Sequence, residues 1–283
     1  MHFKSIVLSF WGSFALAVAL RSMQLFFAVD SATGFFKPAY TKIGLIITVL
    51  IFIIAVLMTV ATLMVRRAPV KMPKLSRKIG VAAALLAASI AYDLSTLSAT
   101  VPAWQIMLTL ALGVFAALYF LALAVKCFAN FKLPHIFAVF PVLYFCAKLI
   151  YFFTAISTIA LVTSNLFLLI AQAFIVLFMF EFAKLSNNID ADNSYKRICL
   201  TGFLSTLFCA IASIPSILSA LFSNSQAQLS NLSSSICVLF AGVFTYLFVR
   251  RYFSGKNLKH HKRYRSHTRF MKAKHTDDFY IGN

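Results

Sequence analysis

The chain has few acidic residues and few charged residues of either sign. Of its 283 residues only 7 are Asp or Glu, and charged residues of all kinds make up 12% of the chain. Soluble globular domains have roughly 25% charged and about 45–50% apolar residues, whereas 61% of this chain is hydrophobic. This composition excludes a soluble enzyme, a disordered protein and a free nucleic-acid-binding module.

Glycine and cysteine are also scarce, with 9 and 5 residues. Cys127 and Cys199 fall at the cytoplasmic ends of the predicted helices described below, and the other cysteines fall within helices. We therefore expect no structural disulfide on the outer side. The sequence has no CxxC motif and no Cys/His pair at metal-ligand spacing, so we predict neither a metal site nor a cofactor.

The chain does contain apolar stretches long enough to cross a bilayer. A transmembrane helix needs about 20 predominantly apolar residues, and eight segments meet this requirement. The sequence thus predicts an all-α, polytopic integral membrane bundle, with a transmembrane domain over residues 1–249 and a basic tail over 250–283. The predicted helices are Ile6–Val29, Ile43–Val65, Gly80–Leu97, Ala103–Val125, His135–Thr158, Leu161–Ala183, Ile198–Phe222 and Leu232–Val249.

The distribution of basic residues predicts the orientation. Lys and Arg number 26, which gives a net charge of +19. All but four of them lie in segments on one side of the predicted membrane. Lys37 and Lys42 lie on the other side, and Arg21 and Lys148 lie inside helices. Because Lys and Arg resist translocation, both termini are predicted to be cytoplasmic, in a plasma membrane or bacterial inner membrane.

The first helix has an alternative interpretation as a cleaved signal peptide. Lys4, the apolar run Ile6–Leu20 and the small residues around Ala17 resemble a signal sequence with its cleavage site. Cleavage would leave seven helices. We favour an uncleaved helix because the apolar pattern continues over residues 25–29, beyond the usual length of a signal h-region.

The tail carries a dense basic cluster at Lys259–Arg265. Such a cluster binds anionic lipid headgroups with roughly 1 kcal/mol for each Lys or Arg near the surface. It would also suit an acidic protein partner, but its position directly after the last helix favours an orientation signal over nucleic-acid binding.

Ionisable residues inside a membrane are costly, so they are the first candidates for function. Four such residues occur, namely Arg21, Asp93, Lys148 and Glu181. Glu181 is close enough to the cytoplasmic end of its helix to reach the interface, so we assign it no special role.

Polar residues accompany the other three at helical spacing. Lipid would not tolerate these stripes, so we expect them to face the bundle interior. Together they form the predicted intramembrane polar site: Arg21, Gln24, Ser89, Asp93, Tyr144, Lys148, Tyr151, Asn165 and Gln172.

Two interpretations of this site remain open. In the first, Asp93 pairs with Lys148 or Arg21, and the polar groups fasten neighbouring helices together. In the second, the residues line an outward-facing cavity. One ion pair would then leave a spare cation for a small polar or anionic solute, or Asp93 would couple transport to a proton or cation.

Catalysis has no support in the sequence. It contains no HExxH, GxSxG or Gly-rich phosphate-binding motif, and we predict that the protein is not an enzyme. Besides solute binding or transport, the alternative is a non-catalytic sensor or assembly component that acts on an unknown protein partner through its basic tail.

Overall fold

A computed structural model defines the fold. It describes the helices and parts of some of the connections between them. The described residues are 3–30, 36–64, 75–97, 102–129, 134–158, 163–187, 189, 191–222 and 232–253.

Eight α-helices account for almost all of this structure. A π-helical turn, Gln24–Ala28, extends α1, and short 3₁₀ turns at Pro38–Tyr40 and His135–Ala138 precede α2 and α5. The helices are α1 Phe3–Met23, α2 Thr41–Leu63, α3 Arg77–Ser95, α4 Ala103–Ala129, α5 Val139–Thr158, α6 Thr163–Ser186, α7 Ala191–Phe222 and α8 Leu232–Tyr252.

The prediction of eight helices long and apolar enough to cross a membrane is confirmed. Within the described residues there is no strand, and only Val29 and Phe36 form an isolated β-bridge. The predicted start of the seventh helix at Ile198 was wrong, because α7 begins at Ala191. Hydropathy locates only the apolar part of a helix, and α7 extends past it through a polar turn.

The helices pack in an order that places α7 at the centre. It contacts α6, α8, α1 and α2. Of its apolar stretch, 89% of the residues are buried, against 22% for α1 and for α2. The helices α3, α4, α5 and α6 each pack against the next, and α3 also packs against α8.

The contact between α7 and α8 depends on small residues. A Cβ atom added to Gly242 would lie 2.7 Å from Cys209 Cβ, and one added to Gly202 would clash with Val249 Cγ2. The Thr206 hydroxyl lies 3.0 Å from the Thr245 hydroxyl and donates to the Gly242 carbonyl at 3.3 Å. Glycine therefore allows two largely apolar helices to approach closely enough for hydroxyl groups to bond between them.

The outer surface of the bundle is apolar. Large side chains exposed on α2 and α4 include Ile46, Leu57, Met107 and Leu118. A surface of this kind on helices of this length suggests a protein integral to a membrane, where lipid chains would cover it.

Candidate functional site

Asp93 lies in the last turn of α3 and is 1% exposed. Its Oδ2 atom is 2.6 Å from the Lys148 ammonium group on α5 and accepts a hydrogen bond of 3.2 Å from the Tyr144 hydroxyl. Its Oδ1 atom accepts a 2.6 Å hydrogen bond from the Ser234 hydroxyl on α8. The buried carboxylate is thus paired with one cation and two hydroxyl groups. A carboxylate that is removed from water needs such partners to compensate for its lost hydration.

Lys148 is buried as well, with 2% exposure. Its ammonium nitrogen lies 5.1 Å from the ring centroids of both Tyr151 and Phe152. These aromatic faces add a favourable cation–π interaction to the ion pair. A Cβ atom added to Gly113 on α4 would lie 3.0 Å from the Tyr144 ring. The helix α4 therefore packs closely against Tyr144, which donates to Asp93.

The hydroxyl groups from α8 were missed in the sequence analysis. Ser234 bonds to Asp93, and Ser233 accepts a 2.6 Å hydrogen bond from Thr96. The Cys237 thiol, one turn further along α8, is buried near Ser89 and Tyr144. The available signal was the run of three serines at positions 233–235, at the start of the last apolar segment. It is easily missed because polar residues at a helix end are usually explained as interfacial.

We call these residues on α3, α5 and α8 the ion-pair cluster, which comprises Ser89, Asp93, Tyr144, Lys148, Tyr151, Ser234 and Cys237.

Arg21 occupies a different part of the bundle. It lies in the last turn of α1, is 1% exposed, and donates a 2.5 Å hydrogen bond to the Gln24 side-chain oxygen. The Gln24 amide in turn donates to the Gly44 carbonyl at 2.7 Å and to the Thr48 hydroxyl at 2.8 Å on α2. The Phe167 ring on α6 stacks on the guanidinium group, with its centroid 4.4 Å from Cζ.

The five residues Arg21, Gln24, Gly44, Thr48 and Phe167 form what we call the arginine cluster. The described contacts therefore divide the predicted site in two. Asp93 takes Lys148 as its partner, and Arg21 has no carboxylate within 4.0 Å among the residues that the structure describes.

Two buried polar atoms lack a hydrogen-bond partner within the described part of the chain. They are Arg21 Nε and Gln172 Oε1. Gln172 on α6 is 1% exposed, and Asn165 on the same helix is half-buried. Neither joins the ion-pair cluster through the contacts described above.

Comparison of the chain with known protein families, curated proteins and solved structures finds no match. Interpretation of the clusters therefore depends on their own geometry.

Glu181 forms a third charged group near the end of α6. It lies 3.6 Å from Lys184 and 3.8 Å from Arg197, whose side chain is 51% exposed. This group is partly open at the helix end, as an interfacial ion pair would be.

The described residues contain no group of three His, Cys, Asp or Glu side chains that could hold a metal ion. One cluster carries a buried pair of opposite charges, and the other carries a single cation.

Proposed function

We propose that the protein is a multi-pass protein of a plasma membrane or bacterial inner membrane, with both termini cytoplasmic, that binds a small polar or anionic solute within its bundle and transports it. The observation that carries this proposal is the Asp93–Lys148 pair, whose charged atoms are 2.6 Å apart and almost completely buried. A bundle needs no buried ions for stability, because well-packed apolar residues of similar volume usually serve as well or better.

The composition of the ion-pair cluster supports a role in solute exchange. Asp93, Lys148 and Ser234 come from three helices that are separate in sequence, and each is bonded mainly across a helix interface. An anionic solute that entered between Asp93 and Lys148 would take over the Lys148 ammonium group as its partner. Asp93 would keep its hydrogen bonds from Tyr144 and Ser234 and would bind the coupling proton or cation in place of Lys148.

Access to the cluster requires the helices to move, because Asp93 and Lys148 are closed off in this structure. Transport proteins expose an intramembrane site by rocking one group of helices against another. The interface of α3 and α5 with α8 is where such an opening would admit solute. We propose that it opens toward the outer side, where the basic loops are few.

The alternative function is a sensor or assembly component acting through the basic tail. Residues 254–283, which include the cluster Lys259–Arg265, lie outside the described residues. We propose anionic lipid headgroups as the direct partner of this tail, because its charge and its position after the last helix suit them. Deleting residues 256–283 separates the two functions, since solute binding at the ion-pair cluster would survive that deletion.

Thiol accessibility tests the proposed function. In a variant with all five native cysteines replaced, Ser89→Cys or Ser234→Cys places one thiol beside the intact ion pair. We expect a membrane-impermeant maleimide, added outside intact cells, to label both positions slowly as the bundle opens. One solute class among glycine, sodium lactate and sodium phosphate should slow the labelling, because bound solute occludes the cluster.

Ala83→Cys is the matched control for this experiment. Ala83 is buried in the apolar core of the same helix, so its thiol should remain unlabelled throughout. Labelling of neither serine position in a folded protein would contradict the proposed function and would assign the ion pair to structure alone. Loss of a physiological effect on deletion of residues 256–283, together with unlabelled serine positions, would favour the tail.

A further inference from the structure

Arg21 presents a buried positive charge for which the described structure provides no anion. Its exposure is 1%, and no Asp or Glu among the described residues comes within 4.0 Å of its guanidinium group. Removing a cation from water is costly unless an anion and hydrogen bonds compensate for the loss. Arginine stays protonated under nearly all conditions, so the charge itself remains.

The neighbours of Arg21 stabilise the guanidinium group only in part. Gln24 accepts one hydrogen bond and the Phe167 ring covers one face. Arg21 Nε has no partner among the described residues. Guanidinium groups bind carboxylates and similar anions through two parallel N–H donors, and an Nε atom without an acceptor leaves one edge of the group available for that geometry.

Gln24 is held in one orientation toward the Arg21 guanidinium group. Both hydrogens of its amide are used on α2, at Gly44 and Thr48, so its oxygen is directed toward Arg21. The amide therefore cannot rotate to present an N–H group to the guanidinium without losing two hydrogen bonds. Because α1, α2 and α6 each contribute to the cluster, the position of the cation is set before any ligand arrives.

Charge and burial narrow the class of ligand. One buried guanidinium balances a single negative charge, and a dianion would leave an uncompensated charge in the same apolar surroundings. Arg21 is 1% exposed, so a ligand beside it must itself fit inside the bundle.

Two exposed lysines lie close in sequence to the α2 residues of the arginine cluster. Lys37 and Lys42 are exposed at the connection into α2, and Lys42 lies only two residues before Gly44 of the arginine cluster. They are the basic residues of the sparsely charged side of the protein. Exposed charges at an entrance raise the local concentration of oppositely charged solutes and speed their association.

We propose that Arg21 is the centre of a binding site for a small monovalent anion, either a halide or a short carboxylate, between α1, α2 and α6. The anion accepts hydrogen bonds from Arg21 Nε and the adjacent guanidinium edge. This inference goes beyond the proposed function, because it concerns a different cluster and requires no transport.

Thermal unfolding of the purified full-length protein tests the proposal. The protein is prepared in dodecylmaltoside with gluconate as the only anion and is then titrated, at constant ionic strength, with sodium chloride or sodium formate. The unfolding midpoint should rise by at least about 3 °C and reach a plateau, because a ligand that binds only the folded state stabilises it. Chloride and formate are run separately to distinguish a halide site from a carboxylate site.

Arg21→Met removes the charge and keeps an apolar side chain of comparable length. This variant should unfold in gluconate at or above the wild-type midpoint, and chloride or formate should not shift it. Arg250→Gln, at an exposed arginine on α8, is the matched control and should respond as the wild type does.

Gln24→Glu provides a second variant in case Arg21→Met does not fold. It supplies a carboxylate to the guanidinium from within the protein, so the response to added anions should disappear.

A wild-type midpoint that no anion shifts would overturn the proposal, as would an unchanged shift in Arg21→Met or Gln24→Glu. A larger response to sulfate than to chloride and formate would overturn the assignment to a monovalent anion. Unlabelled serine positions in the thiol experiment would contradict the proposed function and leave this site unaffected.

Discussion

At the scale of single residues, the ion-pair cluster shows how a carboxylate is tolerated within an apolar bundle. Asp93 forms an ion pair with Lys148 and accepts hydrogen bonds from Tyr144 and Ser234. Each partner removes part of the cost of burying the charge, and none of them is exposed to solvent. The cluster therefore acts as a unit, and the loss of any one charge leaves the other without compensation.

Single and double substitutions measure this coupling. Asp93→Asn or Lys148→Met alone should lower the free energy of unfolding by about 3–5 kcal/mol, because each leaves a buried charge unpaired. The double variant should lower the free energy of unfolding clearly less than either single variant does. Denaturant titration in detergent gives the three values, and their non-additivity gives the interaction between the two residues.

Glu181→Gln is the control for the ion-pair substitutions. Its cations lie at longer distances, and that of Arg197 is half exposed, so the change should cost only about 1 kcal/mol. If both single substitutions at the ion-pair cluster lower the free energy of unfolding as little as this control does, burial of the Asp93–Lys148 pair has no special effect on the stability of the bundle.

At the scale of helices, small residues set the spacing and polar residues set the specificity. The α7–α8 contact combines both, with Gly242 against Cys209 and Thr206 bonded to Thr245. Without a hydrophobic driving force in lipid, close packing and interhelical hydrogen bonds hold such helices together. The π-helical turn after α1 has a different consequence, since it begins at Gln24 and so places that amide against α2.

A methyl group added at Gly242 tests the close packing of α7 and α8. Gly242→Ala would place Cβ 2.7 Å from Cys209 Cβ, an atom attached directly to the backbone of α7. The helices would have to separate, so we expect a loss of about 1–3 kcal/mol in stability. The thermal unfolding midpoint in detergent gives the measurement.

Gly12→Ala is the matched control for the packing test. A Cβ atom added at Gly12 meets nothing within 4 Å, so the change should leave stability the same or raise it by up to about 1 kcal/mol through helix propensity. A decrease equal to that of Gly242→Ala would show that glycine is required for a reason other than close packing.

At the scale of the whole molecule, α7 packs against α6, α8, α1 and α2. The two charged clusters involve different sets of helices. The arginine cluster belongs to α1, α2 and α6, and the ion-pair cluster belongs to α3, α5 and α8. Both clusters are buried inside a bundle whose outer surface is apolar.

Orientation is the prediction that belongs to the whole molecule. In the cysteine-free background, Lys37→Cys should react with an impermeant maleimide added outside intact cells. Lys196→Cys should react only after the cells are permeabilised, because the positive-inside rule places Lys196, near the start of α7, on the cytoplasmic side. Both lysines are exposed, so a difference in labelling reports sidedness. The opposite labelling pattern would reverse the predicted topology.

The sequence alone determined the existence of the eight helices and the identity of the charged residues within them. Both follow from hydropathy and helical spacing, which are properties of each segment by itself. The boundaries were less certain where a helix continues beyond its apolar part, as α7 does at Ala191.

Only the tertiary structure decided which charges meet. Asp93 had Lys148 and Arg21 as possible partners, and packing of α3 against α8 and α4, with α5 beyond α4, selected Lys148. The same packing brought Ser234 to Asp93 and left Arg21 beside Gln24 and Phe167. A pattern along one helix shows which face is polar, but the partner of that face depends on how helices distant in sequence pack together.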